Sequence, residues 1–147
     1  MEILNRKASF NYEIIDTYEC GIVLTGTEIK SLRGGHMNIK EGYARVTGNE
    51  LFLCNAHISE YEQGNIFNHD PLRIKKLLAH KKEINAMQQS MSLMGYTLVP
   101  LKVYFVKGRA KVLIGVAKGK KLYDKRKSDK EKTVNKEIAK AKKDYNY

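Results

Sequence analysis

The side chains able to build a core run out at about residue 117, and that boundary limits what the chain can fold into. Residues 118–147 carry twelve Lys or Arg against five Asp or Glu, a net +7 of the chain's +11, with almost nothing apolar enough to pack. Residues 1–117 carry fifteen basic and eleven acidic side chains and nearly all the Val, Ile, Leu, Phe and Met. A highly charged segment with so little to bury cannot offset its chain entropy alone, whereas about 117 residues matches one ordinary domain. The expected organisation is a single folded body, 1–117, followed by a basic arm, 118–147.

The charge narrows the partners. A pI near 9.6 leaves nucleic acid, an anionic membrane or an acidic protein. The arm lacks the Trp, Phe and Leu face of a helix that lies on a membrane, so nucleic acid leads. The N-terminal MEILNRKASF has no apolar run of signal-peptide type, and no stretch approaches a membrane span. Cys20 and Cys54 are 34 residues apart without CxxC spacing and read as reduced core thiols. The expected location is the cytoplasm.

Alternation of period two dominates the body. Tyr12 to Leu24 reads as a long strand. Tyr43–Thr47 and Leu51–Ile58 flank Gly48-Asn49, and Tyr96–Val106 and Arg109–Ala117 flank Lys107-Gly108, which predicts two hairpins on turns that tolerate positive φ. Pro100 cannot donate to a ladder, so its strand begins there, runs on an edge or carries a bulge. A helix is predicted over His80–Met94, with Ile84, Met87, Met91 and Met94 on one stripe and Gly95 as its stop. A shorter helical turn over Thr27–Leu32 is ended by Gly34-Gly35, with Ile29 and Leu32 inward and Glu28, Lys30 and Arg33 outward. The pattern is mainly β: a small antiparallel OB-like barrel with flanking helices, or else a sandwich.

Four segments carry more than composition: NRKASFNYEI near the start, GIVLTGTEIKSLRGG at 21–35, AHISEYEQGNIFNHDPLRIKKLLAHKKEI at 56–84, and GVAKGKKLYDKR at 115–126. Together, and in this order, they resemble the small protein B family, the bacterial SsrA-binding proteins that partner transfer-messenger RNA. The resemblance implies an oligonucleotide-binding barrel that grips the tRNA-like part of that RNA. It implies a basic tail that is disordered when free and helical on the ribosome, and a complex that enters ribosomes stalled without a sense codon. Its partners are then transfer-messenger RNA, the ribosome at its decoding centre and mRNA channel and, through the alanylated RNA, elongation factor Tu; no cofactor is implied.

Residue chemistry fits that reading. Glu28 among Lys30 and Arg33 is a carboxylate that repels phosphate but accepts from base amino groups or a 2′-OH; read without the family it is a salt-bridge partner of Lys30 or Arg33. The resemblance makes this segment part of the RNA-gripping surface, with Asn38, Lys40 and Tyr43 following. Tyr61, Gly64, Asn65, Asn68, His69, Arg73, Lys75 and Lys76 fall in a loop-like stretch, Tyr61 to His80, that mixes rings for stacking, amides for base edges and cations for the backbone. Asn68-His69-Asp70-Pro71 also reads as an ordinary turn.

In the tail, Ser128 and Glu131 form a capping-box pattern, and Val134, Ile138, Ala141 and Tyr145 share a helical stripe. Lysines at four-residue intervals weaken that helix, so it is expected to fold on contact with an anionic groove. By resemblance, Gly119, Lys120, Lys121, Tyr123, Asp124, Lys125 and Arg126 occupy the decoding centre, and the helix beyond, with Ile138, lies in the empty mRNA channel. Tyr123 stands where many relatives have histidine, which favours stacking over proton chemistry there.

Catalysis is not expected. His36, His57, His69 and His80 with Asp70 and Glu28 have no HxH, HExxH or paired-carboxylate spacing for a metal, and GVAKGKK lacks the spacing and the hydroxyl of a phosphate loop. The second functional reading is a general OB-type RNA chaperone or ribosomal protein.

Overall fold

Two sharp reversals set the topology. Gly48 and Asn49 have φ of 57° and 65°, and Lys107 and Gly108 have φ of 50° and 79°, so both central residues of each turn are left-handed, as the twist of a tight hairpin requires. They join β4 (Tyr43–Thr47) to β5 (Glu50–Cys54) and β8 (Thr97–Val106) to β9 (Arg109–Gly119). The computed structural model describes residues 2–62 and 68–119.

The other strands are β1 (Glu2–Leu4), β2 (Tyr12–Ile22), β3 (Met37–Asn38), β6 (His57–Ile58) and β7 (Lys75–Leu78). In one sheet the order is β1-β8-β4-β5-β7-β2-β9, and β8 pairs again with β9, so the sheet closes. Every pairing is antiparallel. A closed barrel leaves no long unpaired edge, and it meets the OB-like expectation over the sandwich. A separate two-stranded ribbon, β3 with β6, lies outside it.

Inside, Leu51, Leu53, Leu77, Leu98, Val103, Val112 and Ile114 interlock with Leu32 and Met87 from the helices. Cys20 and Cys54 are buried free thiols, as read from sequence. Burial first, then Glu83 and Glu19, push the Cys20 thiol up to about 12, which keeps it protonated and inert. Pro100 sits at a bulge: the register shifts between Pro100 and Lys102, and Leu101 turns against Gly115, where an added Cβ would lie 2.8 Å from its Cδ1.

α3 (Lys81–Met94) follows the predicted stripe in burying Ile84 and Met87 and ends on left-handed Gly95, φ 70°, but Met94 is exposed. Three elements depart from expectation. The stretch from Tyr61 to His80 is not all loop, because its end is β7, between β5 and β2. The strand expected over Leu51–Ile58 breaks at Asn55, φ 58°, into β5 and β6. A helix α1 (Arg6–Asn11) was not foreseen; Asn5 caps it by accepting from the Ala8 N–H, and its Nδ2 donates to the Ile39 and Pro100 carbonyls at 3.1 and 2.8 Å.

Candidate nucleic-acid interface

α2 (Gly26–Arg33) sorts its side chains around its circumference. Thr25 starts it with a capping box, its hydroxyl accepting from the Glu28 N–H and the Glu28 carboxylate accepting from the Thr25 N–H at 2.8 Å. Glu28, Ser31 and Leu32 are buried, while Lys30 and Arg33 are exposed.

The expected outward orientation of Glu28 is therefore corrected. Its carboxylate is fully buried and takes a fork from Arg73: Nη2 donates to Oε1 at 2.6 Å and Nε to Oε2 at 3.0 Å. The partner lies 45 residues away rather than at Lys30 or Arg33. Burial alone raises the Glu28 carboxyl, but the Arg73 hydrogen bonds, the Thr25 N–H and the charges of Arg73 and Lys75 outweigh it and hold it below the ordinary carboxylate range. The same pairing raises Arg73. Arg73 also donates to the Val23 and Ile74 carbonyls at 3.1 and 3.2 Å, tying α2 to the ends of β2 and β7.

Lys75 and His69 are likewise turned inward, against the expectation that they face RNA. Lys75 Nζ, on a fully buried side chain, donates to the Ala56 and Arg73 carbonyls, both at 2.7 Å. Burial is the main cause of its lowered pKa, partly offset by Glu28. His69 Nε2 donates to the Ile58 carbonyl at 2.9 Å, and Nδ1 is 2.8 Å from the Thr27 hydroxyl. Asn68 closes a turn by accepting from the Tyr61 N–H at 2.9 Å and donating to the Tyr61 carbonyl. Glu28, His69, Arg73 and Lys75 form a largely buried polar bracket that ties α2 to residues 56–58 and 69–75.

Two clefts flank the bracketed helix. One, of about 410 Å³, lies between the Ile29 and Arg33 side of α2 and the β8–β9 hairpin. Arg33 stacks on Phe105, 4.8 Å from the ring centre, with Arg109 and Lys111 on the rim and the exposed Val23 and Leu78 beside them. Cations around an aromatic face and apolar side chains make a place for an unstacked base and its phosphates. Phe105, Lys111 and Leu78 were missed from sequence because each reads locally as a strand residue. The other cleft, of about 360 Å³, is lined by Lys30, Ser31, His36 and residues 59–62, with Lys30 Nζ 5.6 Å from the centre of the Tyr61 ring.

The remaining sequence-selected residues scatter. Asn38, on β3, accepts from the Lys40 N–H at 2.9 Å. Lys40 and Tyr43 line a third hollow, of about 190 Å³, beside α1. Lys76 pairs with Glu50 at 2.5 Å on the outside of the barrel. Gly119 is the last residue of β9, pairing with Tyr12. Gly64, Asn65, Lys120, Lys121, Tyr123, Asp124, Lys125, Arg126 and Ile138 lie outside the described residues, as does the tail helix predicted from Ser128. Among the described residues no cluster of His, Cys, Asp or Glu has metal-binding geometry, and no helix is long and apolar enough to cross a membrane.

A family model described as SmpB protein matches residues 2–144. An SsrA-binding protein of Enterococcus faecalis is 62% identical over 92% of this chain and 88% of its own length. One from Agrobacterium fabrum is 59% identical over 90% of this chain and 84% of its own. A chain from the solved structure described as "tmRNA-SmpB: a journey to the center of the bacterial ribosome" superposes with a TM-score of 0.70 at 47% identity, covering 93% of this chain and 96% of that one.

Proposed function

The chain belongs to the SmpB protein family, and on that premise we propose that it is a non-enzymatic RNA-binding adaptor for trans-translation. It binds the tRNA-like domain of transfer-messenger RNA and delivers it to stalled bacterial ribosomes in the cytoplasm. The carrying observation is near-full-length identity to SsrA-binding proteins, joined to a close structural match with a chain seen with that RNA and the ribosome.

The barrel supplies the RNA grip. The Arg33–Phe105 cleft offers stacking and phosphate neutralisation together, while the Glu28–Arg73–Lys75 bracket sets the position of α2. The arm beyond β9, residues 120–147, forms the second part, probing the decoding centre and the empty mRNA channel with Lys120 to Arg126 and the helix that includes Ile138. Elongation factor Tu joins through the alanylated RNA.

Arg33→Ala and Lys111→Ala are each expected to weaken transfer-messenger RNA binding. For every phosphate left without its cation, the salt dependence should also flatten by about 0.7 log unit per tenfold salt, the single-strand value. Filter binding across a salt series reads both. Unchanged affinity and slope in the double variant would remove this cleft from the interface. A chaperone of general specificity would instead copurify with a broad RNA population, so sequencing the bound RNA separates the two readings.

A further inference from the structure

The second cleft is lined by a residue whose buried hydroxyl has no hydrogen-bond partner. Ser31, 2% exposed, is among the residues lining it, and its Oγ is the one buried side-chain oxygen or nitrogen among the described residues without a hydrogen-bond partner. An orphaned buried hydroxyl is destabilising, and its neighbours here are ligand-binding groups: Lys30, His36 and Tyr61, with Glu60 and Glu62 also lining the cleft.

We propose that this cleft is a base-reading pocket that takes one unpaired guanine nucleotide of the bound RNA. The proposal rests on the RNA-adaptor reading and adds a specificity element to it. The volume of about 360 Å³ lies within the usual range for a small-ligand pocket. Tyr61 supplies a stacking face on which the Lys30 ammonium now sits; an incoming base displaces it, and the ammonium turns to the nucleotide's phosphate. Carboxylates only accept, so Glu60 and Glu62 favour the base whose Watson–Crick edge presents adjacent donors, the guanine N1–H and N2 amino group. They disfavour a phosphate in the same place. A polar edge of the bound base would give the Ser31 hydroxyl, at the lining of the cleft, the partner it lacks. The Asn68 side chain, bonded to the Tyr61 main chain, holds that residue in position at the cleft.

The test is titration of the full-length chain with GMP, AMP, CMP and UMP, followed by amide chemical shifts, for wild type, Ser31→Ala, Tyr61→Ala and Tyr61→Phe. GMP is expected to shift Ser31, His36 and Tyr61 selectively. Ser31→Ala should lower GMP affinity by about three- to tenfold, the worth of one hydrogen bond, with no loss of thermal stability, because the hydroxyl removed had no partner. Tyr61→Phe should retain binding and Tyr61→Ala lose it. Equal shifts from all four nucleotides, or wild-type GMP affinity in Ser31→Ala, would overturn the proposal.

A parallel measurement with intact transfer-messenger RNA separates this proposal from the reading beneath it. If the variants bind that RNA as wild type does, the pocket is wrong and the adaptor reading stands. If wild type does not prefer it to a control RNA of equal length, the adaptor reading itself fails.

Discussion

Glu28 and Arg73 show most clearly how a residue's type misleads about its place. A carboxylate beside Lys30 and Arg33 reads as surface chemistry; its true partner is 45 residues on, and the carboxylate itself is fully buried. Arg73→Ala strands a buried charge and is expected to destabilise the fold by about 3 kcal/mol, the low end for such orphaning because one side of Arg73 remains open to water. Replacing both with apolar residues, Glu28→Leu with Arg73→Met, should recover much of that loss in chemical denaturation. The sign of the pH dependence follows from the lowered Glu28 value. The stabilisation is complete above the unfolded carboxylate's pKa of 4.5 and is lost as pH falls from there through the lower folded value. Glu28→Gln should therefore be less stable than wild type at neutral pH and show a flatter acid limb. Parallel acid limbs in the two proteins would contradict this account of the pair.

At the scale of elements, the hairpins, the Gly95 cap and the extents of β2, β4, β8 and α3 were legible because each is written in adjacent residues, whereas Pro100 announced an irregularity without choosing among a strand start, an edge and the bulge that is found. Gly-Asn and Lys-Gly turns, a proline in a strand and a glycine after an apolar stripe all act locally. β7 was not legible. Its inward positions are Lys75 and Leu77, and a buried lysine breaks the alternation that marks a strand. The clefts were half legible: Lys30, Arg33 and Tyr61 stood out by type, whereas Phe105, Lys111 and Leu78 gain meaning only when the hairpin is folded beside α2. Since α2 carries both clefts, its start matters to both. Thr25→Ala removes the cap and is expected to cost about 1 kcal/mol in stability and to weaken RNA binding at temperatures where the native barrel persists. Stability lost with RNA affinity intact would show that the helix end does not set the interface.

Across the whole molecule, the split between a barrel that holds RNA and a basic arm that probes the ribosome was drawn from charge and apolar content at residue 117. β9 continues to Gly119, with Lys118 and Gly119 paired to Glu13 and Tyr12, so the cut that spares the barrel falls after Gly119. The most direct test of the division compares the full chain with one lacking residues 120–147 in two assays, equilibrium binding to transfer-messenger RNA and tagging of peptides on stalled ribosomes. The account predicts that the shortened chain binds the RNA nearly as well as the full chain and supports no tagging. Loss of RNA affinity along with the arm, or tagging without it, would contradict it.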